Sequence, residues 1–167
     1  MQRVNTAVIG HGCRGSLLTS IVADMEEASV VAVCDLYADR REEAAETVAK
    51  KRGRKPKVCA DYHEILNDPD VDAVIIATSW ESHVPIALDC IRAGKVTALE
   101  VGGAYSIEDC ETLVQVYEQT GTPFMFLENC CYGKFELLST ALARAGKLGA
   151  VVHCHGAYGH DLRGEVL

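Results

Sequence analysis

The sequence predicts an α/β protein of the Rossmann type, a doubly wound parallel sheet followed by the truncated start of a second α/β domain. Apolar runs rich in Val, Ile and Ala alternate with segments of helical period, the pattern of a parallel sheet covered on both faces. The first of these runs ends in a G-x-G-x-x-G pattern. Several of the helical segments close on a glycine, as helices do where the chain must turn left-handed.

Strands are expected over 4–10, 29–35, 57–60, 71–78, 95–101 and 123–129. The stretch 71–78 (VDAVIIAT) is too apolar to have one face in water. Helices are expected over 15–25, 38–53, 61–66, 82–94, 106–121 and 135–149. Asp61 followed three residues later by Glu64 has the form of a capping box, and Gly53 and Gly94 are helix stops. These elements assign 1–129 to the sheet domain and 130–167 to the start of a second one, ending in an extended segment over 150–161. A helix followed by one strand leaves backbone groups unpaired, so the expectation is a front part of a larger protein, with a homodimer through the strand at 150–158 as another way to pair that edge.

The chain has 167 residues and 49% hydrophobic residues, enough for one sizeable core. Sixteen Lys and Arg against 24 Asp and Glu give a net charge of −8, which argues against a nucleic-acid footprint. The one dense basic stretch, 50–57 (KKRGRKPK), reads as a solvated helix end and loop. No apolar run approaches membrane-spanning length, and the first residues lack the pattern of a signal peptide, so a cytoplasmic protein is expected. Eight scattered cysteines without a C-x-x-C pair fit a reducing compartment, with Cys34, Cys59 and Cys90 acting as small buried hydrophobes. His153 and His155 share a strand face, but two ligands do not make a metal site, and none is expected.

The glycine pattern carries the chemistry. Gly10 allows a tight turn after the first strand, Gly12 lets the backbone approach a pyrophosphate, and Gly15 lets the helix sit close on the strand. Asp35 ends the second strand 20 residues beyond Gly15 and is placed to accept the adenosine ribose hydroxyls of a dinucleotide. A carboxylate there repels a 2′-phosphate, and Leu36 and Tyr37 supply no arginine to hold one, which favours NAD over NADP. Trp80 could lie against a cofactor ring, while His83 could bond a phosphate or the backbone at the start of its helix. Glu100 ends the fifth strand with no basic residue beside it in sequence, at the edge expected to face the nicotinamide half, where it would accept ribose hydroxyls.

In this order, the glycine fingerprint, Asp35, the HVPIALDCIRAGK helix and Glu100 resemble the Gfo/Idh/MocA oxidoreductases. In the sugar dehydrogenases of that family a lysine follows the glutamate and assists hydride transfer. Here the positions read Glu100-Val101-Gly102. That departure, with LENCCYGKFELL (127–138) and GAYGHDLR (156–163), is similar to the NAD-dependent α-N-acetylgalactosaminidase branch, although Gly102 replaces that branch's proline. The resemblance implies a glycosidase that oxidises sugar C3 transiently, eliminates the glycosidic oxygen after loss of the C2 proton, adds water, and reduces the ketone again. Alternatives are an NAD-dependent sugar dehydrogenase whose lysine has been replaced, or a non-catalytic NAD-binding product.

By the same resemblance, Cys13, Arg14, Asp35, Trp80, His83, Glu100, Val101 and Asn129 are cofactor contacts, with Gly10, Gly12 and Gly15. Tyr158 matches a substrate position and His160 lies on the same face of an extended chain; either could be the catalytic base, and Tyr158 could instead be a core aromatic. Cys130 and Cys131 read as packing residues. A small sugar is the implied partner, and little turnover is expected from this chain alone.

Overall fold

A computed structural model describes residues 3–157 together with Gly159 and Asp161. By their contacts the residues form two units, Met1–Glu128 and Asn129–Leu167.

The first unit is built on six strands, β1 (Val4–Ile9), β2 (Ala28–Cys34), β3 (Lys57–Cys59), β4 (Ala73–Ile76), β5 (Val96–Leu99) and β6 (Phe124–Phe126). All pair in parallel, in the order β3-β2-β1-β4-β5-β6. Sequence order reverses between β1 and β4, and such a switch point opens a crevice at the carboxyl ends of the strands. Helices α1 (Cys13–Asp24), α2 (Ala38–Arg52), α3 (His63–Leu66), α4 (Trp80–Arg92) and α5 (Ile107–Thr120) fill the crossovers.

Side chains alternate across β1 into two cores. Ala7 and Ile9 join Ile76, Ile91, Leu99 and Leu113 on one face, while Val8 joins Val22, Ala44, Ala45 and Val48 on the other. The register shifts between Thr6 and Ala7, where β2 carries Val31 as an extra residue. This bulge puts Val30 and Val33 on one face although they are three apart. Cys34, Cys59 and Cys90 are buried as expected, and burial pushes the Cys34 and Cys90 thiols up to about 12.

Local signals decide the helix ends. Gly53 and Gly121 close α2 and α5 in the left-handed region, at φ 71° and 66°. The capping box belongs to α5, not to α3. Ser106 Oγ accepts from the Asp109 amide at 3.0 Å, and Asp109 Oδ2 accepts from the Ser106 amide at 3.2 Å. Asp61 instead accepts from the His63 amide and pairs with its ring at 2.6 Å, opening one turn of helix with Tyr62 at the cap position. Half of the basic stretch is paired with carboxylates: Lys51 with Asp24, Lys55 with Glu42 and Lys57 with Asp68.

The second unit holds a 3-10 turn (Asn129–Tyr132) and helix α6 (Lys134–Arg144). Cys130 and Cys131 are exposed, not packed. Residues 150–157 belong to neither helix nor sheet, so the expected strand is not seen among the described residues.

Candidate cofactor site at the carboxyl edge of the sheet

The register brings the ends of five strands level. Ile9 pairs with Cys34 and with Ile76, Ile76 with Leu99, and Leu99 with Phe126. The ladder continues one rung further: the amides of Gly10, Ala77, Glu100 and Leu127 donate to the carbonyls of Cys34, Ile9, Ile76 and Leu99 at 2.8–2.9 Å. The residues that follow the strands, Gly10, Asp35, Ala77 and Glu100, therefore line one edge although they span 90 positions of the chain.

The three glycines answer three different needs. Gly10 has φ +90°, and a Cβ there would lie 2.6 Å from the Ala77 carbonyl oxygen. A Cβ on Gly15 would collide with the carbonyl of Gly10, so this glycine sets how closely α1 meets β1. Gly12 is different. Its φ of −75° suits any residue, and a Cβ would meet only Arg40 Nη1, at 3.9 Å. Nothing in the protein's own packing requires glycine at position 12, whereas close approach of a phosphate to the backbone does. Gly12 also caps α1 without a side-chain hydrogen bond, and no acidic residue stands in the first turn, so the positive end of the helix faces the crevice.

Asp35 is buried and held by two backbone amides, that of His11 on Oδ2 at 2.7 Å and that of Tyr37 on Oδ1 at 2.9 Å. It ties the glycine turn to the loop after β2. Each carboxylate oxygen has a second lone pair for a ribose hydroxyl. The sequence shows no arginine at 36 or 37, but the fold returns two from α2. Arg41 donates to the carbonyls of Asp35 and Leu36 at 2.7 and 3.0 Å, and the Arg40 guanidinium lies 4.8 Å over the Tyr37 ring.

Glu100, without a basic neighbour in sequence, has one in space. Arg14 Nε stands 3.1 Å from its Oε2, bridging the glycine turn and the end of β5 across the crevice. Only long-range pairing could supply this contact, and no local pattern announces it. Trp80 and Val101 are exposed at the same edge, as is Cys13 at the start of α1. Gly102 has φ +95°, and a Cβ there would fall inside the Trp80 indole. A proline, which the resemblance would place here, cannot adopt that φ.

His83 is fully buried, with Nε2 3.1 Å from the Thr78 carbonyl oxygen, the backbone alternative among its two expected roles. Its Nδ1 has no hydrogen-bond partner among the described residues, nor does Nε2 of His11, another buried imidazole that sequence reading passed over. Burial lowers the pKa of both, against the opposing pull of Glu100 on His83 and of Glu43 and Asp35 on His11. Asn129 opens the 3-10 turn of the second unit, and Tyr158 and His160 lie outside the described residues.

An open glycine turn at a helix N-terminus, a strand-end carboxylate and a switch-point crevice together define a dinucleotide-binding Rossmann domain. Residues 4–127 match the family model described as the oxidoreductase family, NAD-binding Rossmann fold. The chain belongs to this Gfo/Idh/MocA family, and its first unit is an NAD-binding domain.

Over 99% of its length the chain is 34% identical to a glycosyl hydrolase family 109 protein of Akkermansia muciniphila, covering 35% of that protein. It is also 34% identical to an α-N-acetylgalactosaminidase of Shewanella oneidensis, covering 37% of it. The chain thus spans about a third of the length of the curated relatives it matches. A crystal structure of scyllo-inositol dehydrogenase from Lactobacillus casei with bound NAD(H) and scyllo-inositol superposes with a TM-score of 0.80 at 20% identity, covering 89% of this chain and 43% of that one, a likeness of fold. No helix among the described residues is long and apolar enough to cross a membrane.

Proposed function

We propose that this chain is the cofactor-holding part of an NAD-dependent glycosidase that acts on α-N-acetylgalactosaminides. The observation that carries the reading is Val101. Where the family's dehydrogenases place a lysine next to the strand-end glutamate, this chain has a partly exposed valine that can neither donate nor accept a proton. Similarity to family 109 relatives over nearly the whole chain supports the same assignment.

The open face of Gly12 and the lone pairs of Asp35 fit the pyrophosphate and adenosine ribose of NAD. Bound there, NAD supplies the capacity to take a hydride from a sugar carbon and return it. In this reading Gly10, Gly12, Cys13, Arg14 and Gly15 hold the phosphates. Asp35 accepts from the adenosine ribose, Glu100 from the nicotinamide ribose, and Trp80 and Val101 flank the ring. His83, neutral because it is buried, orients the turn after β4 through the Thr78 carbonyl. The roles of Asn129, Tyr158 and His160 rest on the sequence alone, as do a homodimer through 150–158 and a cytoplasmic location.

Denaturing the purified protein and identifying released nucleotide by mass spectrometry tests the cofactor assignment, with NAD⁺ near one equivalent as the expected result. The reaction is tested on the chain with an aryl α-N-acetylgalactosaminide. Little or no cleavage is expected from these 167 residues alone, because they span about a third of the length of the glycosidase relatives they match. Sugar-dependent accumulation of free NADH would instead identify a dehydrogenase and sink the glycosidase reading.

A further inference from the structure

Two cysteines stand side by side in the sequence, and the cofactor site makes no use of either thiol. Cys130 and Cys131 lie in the 3-10 turn Asn129–Tyr132, and both are exposed. Cys34, Cys59 and Cys90 differ: they are buried, and burial pushes the Cys34 and Cys90 thiols up to about 12, where they stay protonated and inert. Of the other exposed cysteines, Cys13, Cys110 and Cys154, none has a second cysteine next to it in sequence.

The turn also supports the helix that follows. The Cys130 carbonyl accepts from the Gly133 amide at 3.1 Å, and the Gly133 carbonyl accepts from the Leu137 amide at 3.0 Å in the first turn of α6. Gly133 is the cap residue of that helix, and a Cβ on it would collide with the Glu136 carboxylate. In a 3-10 turn neighbouring side chains project about 120° apart. A disulfide needs its Cβ atoms about 4 Å apart, so joining these neighbours requires the backbone of the turn to move. Moving the peptide between Cys130 and Cys131 disturbs the carbonyl that seats the cap of α6.

We propose that Cys130 and Cys131 form a redox-modified site, oxidised by a peroxide to a disulfide between neighbours, and that this bond and the 3-10 turn exclude each other. The inference is independent of the glycosidase reading. One thiolate attacks a peroxide oxygen and breaks the O–O bond, leaving a sulfenic acid and a hydroxide that takes up the thiol's proton as water. The second thiol attacks the sulfenic sulfur, the S–O bond breaks, and a second water leaves. The two sulfurs together lose two electrons and the peroxide gains them. A sulfenic acid is captured fastest by a thiol held beside it, and exchange with an external thiol reverses the bond.

The test treats the full chain with hydrogen peroxide, blocks remaining thiols with an alkylating reagent, and cleaves after Glu128 and Glu136. Residues 129–136 then leave as one peptide with two cysteines. We expect that peptide to be unalkylated and lighter by two hydrogen atoms, and to regain both thiols with dithiothreitol. Cys130→Ser and Cys131→Ser, both at exposed positions, should fold as the parent does and lose this species. Sulfinic acids on the two residues, or disulfides to Cys110, Cys154 or a second chain in place of the internal bond, overturn the site. Equilibration with a glutathione couple, in buffer and in concentrated urea, reads the exclusion. The constant for closing the bond should be about 5-fold smaller in the folded chain, the worth of one backbone hydrogen bond. An equal or larger constant in the folded chain would show that disulfide and turn coexist, and the exclusion would be wrong.

Discussion

At the amino edge of the sheet, Lys95 is buried and its ammonium donates to the carbonyls of Asp68 and Val71 at 2.6 and 2.9 Å. Beside it the Asn5 amide donates to Asp72 Oδ2, and Thr97 Oγ1 to the Lys95 carbonyl, each at 2.8 Å. The carboxyl edge is organised differently. His11 and His83 each keep a ring nitrogen without a hydrogen-bond partner among the described residues, Gly12 keeps an open face, and Leu36, Tyr37 and Trp80 are exposed. Buried polar groups that are fully paired hold a fold together; those left short of partners call for a further one, such as water or a ligand. Near the amino edge Arg52 Nε is also left without a partner among the described residues, against two imidazoles at the carboxyl edge. The two ends therefore differ in degree, and each substitution below should disturb one end and spare the other.

Gly12→Thr should give the largest effect. Threonine caps a helix about as well as glycine, and a Cβ at position 12 meets nothing closer than 3.9 Å. Stability should therefore stay within about 0.5 kcal/mol of the parent. A branched side chain on the open face should cost NAD⁺ about 100-fold in affinity, about 2.7 kcal/mol. Calorimetry beside urea denaturation reads both numbers. Loss of fold together with affinity would mean that Gly12 serves packing after all.

Lys95→Met is the mirror experiment. It keeps the apolar stem and strips two buried carbonyls of their donor, which should cost about 2 kcal/mol in urea unfolding. NAD⁺ affinity of the folded variant should stay within about 2-fold, because Lys95 lies at the opposite end of the strands. A large fall in affinity would couple the two edges and undo the contrast.

How much of this was legible in the sequence depends on the range of the interaction. The strand and helix order, the glycine turn and Asp35 follow from periodicity and from residues within one β-turn-α unit, and they stand in the structure as expected. Helix α4 starts two residues early, at Trp80, with Ser79 at the cap position but no side-chain cap bond, and the capping box sits at Ser106 and Asp109, where an Asp in place of the usual Glu or Gln hid it. The Arg14–Glu100 ion pair joins residues 86 positions apart and exists only once β1 and β5 are placed in register around β4. Arg40 lies three residues beyond Tyr37, within one helical turn, so its stacking on that ring is a local contact that the helix itself supplies.

Gly102→Ala probes the carboxyl edge more gently. A left-handed φ costs an L-residue about 1–2 kcal/mol, and the added methyl must move the indole of Trp80. Trp80 is the chain's single tryptophan, so its emission reports the site directly. The expected outcome is a shifted emission maximum with a modest loss of stability. An unchanged spectrum would show that Trp80 does not pack on that turn.

Acid should act on the two edges in sequence. His11 and His83 have pKa values lowered by burial from 6.5, so the unfolded chain binds protons there before the native one does. The stability they confer is present above pH 6.5 and is lost as pH falls from that value toward the depressed native ones. Asp68, near the amino edge, is held below its ordinary 3.8 by the Asp70 amide and by Lys57, so its contribution survives until pH falls through that lower range. Urea midpoints should therefore begin to fall below about pH 6.5, and the early fall should shrink in His83→Gln, while any loss near pH 4 should not. If the early fall persists undiminished in both His83→Gln and His11→Asn, the buried imidazoles are not its source, and the carboxyl edge is no more acid-sensitive than the amino edge.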